Sequence, residues 1–153
     1  RSIEDKFRDW KLRIAGGGSK EAQLKQQMSD LQLKNVQFAG YIDDINEEFR
    51  KASVFVCSSR FEGFGMVILE AQANELPVVS FDCPYGPSEL IKDGYTGILV
   101  ENGDVPALSA GIEKLINDKD LRSRLAIEAK KWSESFNVTG ICDRWEKLLK
   151  QGI

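Results

Sequence analysis

Apolar residues along this chain follow two spacings. Short apolar-rich runs, Leu12-Arg13-Ile14-Ala15, Val36 to Ala39, Val54 to Cys57, Pro77 to Phe81 and Ile98 to Val100, have the length and β-branched character of buried strands. Between them, apolar residues recur three and four positions apart, as on one face of a helix. One such stretch runs from Lys20 to about Leu31, with Ser19 as its expected N-cap and Ala22, Leu24, Met28 and Leu31 on its apolar face. A second, opened by Asp43-Asp44 and Glu47-Glu48, reaches about Ala52. A third covers Phe64 to Asn74 through Met66, Ile68, Leu69, Ala71 and Ala73, and a short one covers Ser88 to Lys92. From Asp104 the chain reads as helical throughout, with Pro106 in a first turn and a stripe of Leu108, Ile112, Leu115 and Ile116. Further helices are predicted from about Lys119 to Phe136 and from about Val138 to Lys150, the last expected to pack back on the domain through Trp145, Leu148 and Leu149. Residues 1–9 read as the tail of a helix, with Ile3 and Phe7 four apart.

Strands alternating with helices predict an α/β fold, a Rossmann-like parallel sheet flanked by helices with a helical C-terminal tail. Such sheets bind ligands beyond the carboxyl ends of their strands. Gly16, Gly40, Ser58 and Asp82 each follow a predicted strand, so their loops are expected to share one rim.

The stretch from Ser58 to Glu75, SSRFEGFGMVILEAQANE, carries the densest chemistry. Strand, glycine turn and helix is the geometry in which N–H groups at a helix start face an anion. Glu62 lies just before the turn and Glu70 eight residues later, about a turn and a half into the helix at roughly 3.6 residues per turn. Both acids can border one crevice at different depths. A helix start for phosphate and carboxylates for hydroxyls together suit a nucleotide-sugar.

Composition narrows the chemistry further. The 153 residues suffice for one domain with a core, and 42% apolar with 29% charged residues describe a soluble globular protein. A net charge of -3 with no basic patch argues against nucleic acid, and no run approaches the roughly 20 apolar residues of a membrane helix. Cys57, Cys83 and Cys142 are odd in number and have no C-x-x-C spacing, as expected of reduced thiols in the cytoplasm, with Cys57 a small core residue. The chain has no histidine, which removes Ser-His-Asp and Cys-His catalysis and His-ligated zinc. Asp43-Asp44 and Glu47-Glu48 are adjacent acids that complement a helix dipole and are not spaced for one coordination sphere. Asp118-Lys119-Asp120 joins two helices, where aspartate serves as a cap. No metal site is expected.

Glu62-Gly63-Phe64-Gly65 through Glu70 resembles the E-x7-E signature of the retaining GT-B glycosyltransferases of the group 1, or family 4, type. Trp10 to Gly18 resembles that family's strand and glycine loop, Val36 to Tyr41 its next strand, Pro77-Val78-Val79 the strand after the motif helix, and Asp93 to Val100 a late turn and strand. The similarity covers nearly the whole chain but only the second, donor-binding domain of such an enzyme. The resemblance implies residues 1–153 as one domain, with the acceptor-binding N-terminal domain and this domain's own first strand absent. The strand and loop that carry the family's diphosphate-clamping Arg and Lys lie upstream in that scheme. Arg60 stands beside Glu62 with nothing to show that it replaces them.

By that resemblance the protein transfers a hexosyl group from a nucleotide-sugar with retention and without a metal or other cofactor. Glu62 matches the first acid, placed by the donor sugar to support positive charge at the anomeric carbon, with a covalent nucleophile as the alternative. Glu70 matches the acid that holds the ribose hydroxyls. The backbone of Phe64, Gly65, Met66 and Val67 is expected to meet sugar and diphosphate, with the Phe64 and Met66 side chains in the core. Gly16, Gly17, Tyr41 and Ile42 are candidates for the base. The turn Asp82-Cys83-Pro84-Tyr85-Gly86-Pro87 with Ser88-Glu89 resembles bacterial members that build polysaccharides and lipid-linked oligosaccharides. That implies a UDP-sugar donor, a sugar or lipid-linked acceptor reached through the absent domain, and no nucleic acid partner. The implied location is cytoplasmic or at the inner face of the membrane, with peripheral association of the full-length enzyme. The isolated chain is expected to be inactive. Rival readings are a nucleotide-sugar-binding module that does not catalyse and a GT-B sugar-nucleotide epimerase, for which a histidine would be expected. Trp132 and Trp145 are expected in core packing, the alternative being contacts with the absent domain, and Glu75 is read as a minor surface variation of a position where the family often has glycine.

Overall fold

A computed structural model describes residues 2–151 of the chain, which divide into two compact units, 1–45 and 46–153. The first unit runs α1 (Ser2–Lys6), β1 (Leu12–Ala15), α2 (Glu21–Asp30) and β2 (Val36–Gly40). β1 and β2 pair in parallel, Leu12 opposite Val36 and Ile14 opposite Phe38, with a register shift at Ala15. α1 is tied to β2's approach by Glu4, whose carboxylate accepts from the Lys34 and Asn35 N–H groups at 2.6 and 2.7 Å. α2 begins one residue later than its sequence suggests. The Gly18 carbonyl takes the Glu21 N–H, so Lys20 and not Ser19 is the N-cap, without a side-chain bond.

The second unit holds α3 (Ile45–Lys51, whose first residue belongs to the first unit), β3 (Phe55–Cys57), α4 (Met66–Ala73), β4 (Val78–Asp82), α5 (Pro87–Leu90), β5 (Gly97–Glu101), α6 (Val105–Asn117), α7 (Lys119–Ser133), a 3-10 turn Glu134–Phe136 and α8 (Val138–Lys150). Its sheet is parallel in the order β3-β4-β5, with Val56 opposite Val79 and Val79 opposite Ile98. The parallel α/β architecture matches the sequence expectation, but the strands fall into two sheets, two in one unit and three in the other. β4 is central and buried at Val78, Val79, Ser80 and Phe81, as a strand covered on both faces must be. Against it pack Leu108 and Leu115 of α6 and Leu125 of α7.

The helix ends follow local chemistry. Asp104 and Asp118 cap α6 and α7, accepting at 2.8 Å from the Ala107 and Leu121 N–H groups, so Asp118 caps as its position between helices implied. α4 ends in a Schellman arrangement, with the Leu76 N–H on the Ala71 carbonyl and the Glu75 N–H on that of Gln72. Glu75 occupies the left-handed position, φ 56°, where glycine is favoured, and its carboxylate meets Lys130 at 2.5 Å. The variation at Glu75 therefore sits on a backbone constraint as well as on the surface.

α8 departs from expectation. It is anchored at its start by the Asn137 cap and by Arg144, which donates to the Ser135 carbonyl at 2.9 Å. Beyond that, residues 141–150 are exposed, and Trp145, Leu148 and Leu149 do not pack back on the unit. Trp145 is thus not a core residue, whereas Trp132 is half-buried against Phe136.

Candidate active site

In the second unit, the loops that follow β3, β4 and β5 meet. Loop 58–65 is fixed near its middle by Asn102, whose amide donates to the Arg60 carbonyl at 3.3 Å. It then turns into α4 through Gly65, which is buried and left-handed at φ 86° and ψ 42°. A side chain there would be strained, and it would also crowd Ile68 at 3.3 Å, so the sequence needs glycine at this bend. The Gly65 carbonyl accepts the Ile68 N–H at 2.8 Å, leaving Met66 and Val67 as the first helical residues, whose N–H groups have no carbonyl a turn earlier.

α4 buries Ile68, Ala71 and Gln72, spaced three and four apart, against the unit. Met66 and Glu70, four apart on the opposite side, are exposed. Met66 is 55% exposed and not in the core. The helix is apolar nearly all round, so composition could not tell which face turns inward. Glu62 is half-buried just ahead of the turn. Among the described residues neither the Glu62 nor the Glu70 carboxylate makes a hydrogen bond or ion pair, leaving both available to a ligand.

Loop 83–86, after β4, forms the second wall. Tyr85 and Gly86 both have positive φ, 66° and 92°. A Cβ placed on Gly86 would lie 2.4 Å from the Phe64 carbonyl oxygen, so the two loops touch backbone to backbone. The exposed rings of Phe61 and Tyr85 meet edge-on at 6.5 Å across the same junction. Phe64, expected in the core, is instead 37% exposed and rests on Phe136 with ring centres 6.1 Å apart. Sequence reading placed the turn 82–87 on the rim without singling out Gly86, and it missed Asn102 and Phe136. Only Gly86 carried a signal, a glycine between tyrosine and proline in a turn.

Burial pushes the Cys83 thiol above its ordinary value, and the nearby Cys57 and Glu62 push it the same way. Cys83 and Cys57 are buried, at 2% and 5% exposure, whereas Cys142 is exposed. Because the thiolate is the reactive form, a thiol reagent at neutral pH is expected to label Cys142 rapidly and the other two only on unfolding. Mass spectrometry of partly alkylated protein checks this, and early labelling of Cys83 would contradict the geometry around Glu62.

In the first unit the expected base-binding residues also come together. The Gly16 N–H donates to the Gly40 carbonyl at 2.7 Å, and a Cβ on Gly17 would meet the Tyr41 ring at 3.2 Å. Tyr41 is 87% exposed, with Ile42 half-buried beside it. Among the described residues no three His, Cys, Asp or Glu side chains are grouped to hold a metal ion, and no helix is long and apolar enough to cross a membrane.

Parallel sheets flanked by helices give the architecture of the C-terminal, Rossmann-like domain of GT-B glycosyltransferases. The chain belongs to the family of glycosyl transferases group 1, whose pattern matches residues 1–132. It is 33% identical over 144 residues to a poly(glycerol-phosphate) alpha-glucosyltransferase of Bacillus subtilis, covering 94% of this chain and 21% of that protein. Against an alpha-1,4-N-acetyl-D-galactosaminyltransferase of Campylobacter jejuni that acts on an undecaprenol-diphosphate-linked sugar, it is 31% identical, covering 94% of this chain and 40% of the other. Among solved structures, S. aureus TarM with UDP superposes with a TM-score of 0.89 at 29% identity, covering 95% of this chain and 30% of that one. HepE of Anabaena, in complex with UDP-glucose, gives 0.82 at 28%, covering 92% and 41%. The chain spans a fifth to two-fifths of the length of these relatives.

Proposed function

We propose that this chain is the donor half of a retaining, metal-independent hexosyltransferase that uses a UDP-linked sugar in bacterial polysaccharide or glycolipid assembly. The observation that carries the reading is the pair Glu62 and Glu70, both free of partners, set on either side of the left-handed Gly65 that starts α4. In this reading Glu70 takes the ribose hydroxyls, Gly16, Gly17, Tyr41 and Ile42 take the base, and the backbone of residues 64–67 meets the diphosphate and sugar. Glu62 faces the anomeric carbon. Relatives solved with UDP or UDP-glucose support uracil as the base. The acceptor, a sugar or lipid-linked sugar, is bound by a further domain, and the full-length enzyme is cytoplasmic, associated peripherally with the inner face of the membrane. This chain alone binds donor and transfers nothing.

Titration calorimetry of the chain with UDP, GDP and ADP tests the reading. UDP is expected to bind saturably and the other two much more weakly. Charge-assisted hydrogen bonds contribute about 1.5–3 kcal/mol each, so Glu70→Ala is expected to weaken UDP by roughly 10- to 100-fold. Equal binding of all three nucleotides, or an unchanged affinity in Glu70→Ala, would remove the assignment.

A further inference from the structure

Turn 63–65 has few restraints of its own. A Cβ on Gly63 would meet nothing within 4 Å, while Glu62 and Met66 extend into open space or partial burial on either side. Phe64 is held from two directions. Its carbonyl lies against Gly86, and its ring lies against Phe136. Phe136 is in turn set edge-on to Trp132, with centres 5.6 Å apart and planes at 80°. Over the face of Trp132 sits the Lys92 ammonium, 3.6 Å from the ring centre. Lys92 itself stands on a tight turn, where its N–H donates to the buried Thr96 hydroxyl at 2.8 Å and its carbonyl takes the Tyr95 and Thr96 N–H groups at 2.9 Å. The row Lys92, Trp132, Phe136, Phe64 thus runs from a rigid turn at one end to the glycine turn at the other.

We infer that Phe136, backed by Trp132 and Lys92, is a positioning residue that sets the backbone of residues 64–67 for the donor. Edge-on aromatic pairs have a preferred geometry beyond simple burial, and a cation over an indole face adds orientation to it. The indole N–H of Trp132 is buried without an acceptor among the described residues. No hydrogen bond of its own orients the ring among the described residues, whereas Phe136 and Lys92 both contact it. With Gly86 blocking one side of Phe64, Phe136 decides how far the turn moves on the other. Its loss leaves the strand and helix intact and frees only the bend between them. The consequence for nucleotide binding rests on the donor reading above, whereas the effect on the turn does not.

Hydrogen exchange of the free chain, followed by calorimetry with UDP, tests the two parts separately. In Phe136→Ala the amides of residues 64–67 are expected to exchange about tenfold faster, while those of β4 and β5 keep their protection. UDP affinity is expected to fall about tenfold, and Phe136→Tyr to restore both. Should Phe136→Ala fold poorly, Lys92→Met removes the exposed cation and is expected to shift the same amides in the same direction, about twofold. Unchanged exchange at 64–67, or loss of protection spread evenly over β4 and β5, would overturn the inference and leave Phe136 an ordinary packing residue. Faster local exchange in a chain that binds no UDP even as wild type would uphold the positioning role and reject the donor reading.

Discussion

Gly86→Val is expected to cost about 2–6 kcal/mol of stability and to abolish nucleotide binding. Two separate effects add. At φ 92° an L side chain is strained, at a cost of about 1–3 kcal/mol. A Cβ would also sit 2.4 Å from the Phe64 carbonyl oxygen and 2.7 Å from its carbon. Those atoms are backbone, with no flexible tip to swing aside, so the overlap adds about 1–3 kcal/mol more. Relief would require loop 83–86 to move, yet Tyr85 already has φ 66° and the following Pro87 opens α5 with its own fixed φ. The yielding partner is therefore the Phe64 peptide, which is the bend before α4. Urea unfolding of Gly86→Val beside Gly94→Ala separates the two effects, because Gly94 also has positive φ but nothing within 4 Å of its Cβ position. Gly94→Ala is expected to lose about 1–2 kcal/mol. Equal losses in the two variants would show that the contact with Phe64 carries no weight.

The parts of this site that were legible in the sequence are those set by short-range rules. β4 reads as a strand because it is β-branched and buried on both faces, and Asp104 and Asp118 read as caps because an aspartate ahead of a helix has one dominant use. The glycine turn with Glu62 and Glu70 was equally plain, since local backbone freedom and a helical offset fix it. What failed depends on partners distant in sequence. α4 is apolar on every side, so only its packing decides that Ile68 turns inward and Met66 outward. The α8 stripe has the periodicity of a packed helix, and periodicity states that a face is apolar without stating what covers it. The contact of Phe64 with Phe136 spans 72 positions of chain and left no local trace.

On the donor reading proposed above, Glu62→Gln in the full-length protein is expected to lower the rate of sugar transfer by about 100- to 1,000-fold while leaving UDP affinity within about threefold. The substitution keeps size and hydrogen-bonding reach and removes only the charge. A charge that faces developing positive charge stabilises the transition state more than the ground state, and removing one such fixed group typically costs about 100- to 1,000-fold in rate. Glu70, which would hold the ribose in both states, is expected to show the opposite split, with affinity lost and the turnover of bound donor largely kept. The isolated chain offers an independent check on where the Glu62 charge lies. Glu62 contributes, after burial and Cys57, to holding the Cys83 thiol above its ordinary value. In Glu62→Gln that contribution disappears, so the Cys83 titration is expected to move down while staying elevated by burial. The Cys83 Cβ carbon shift, followed by NMR across pH in the folded chain, reads this shift without requiring access of a reagent to the buried thiol. A Cys83 profile that does not move would place the Glu62 carboxylate away from the β4 end of the site. If transfer also survives Glu62→Gln, the positive charge at the anomeric carbon must be met by another group, and Glu62 has no part in the chemistry.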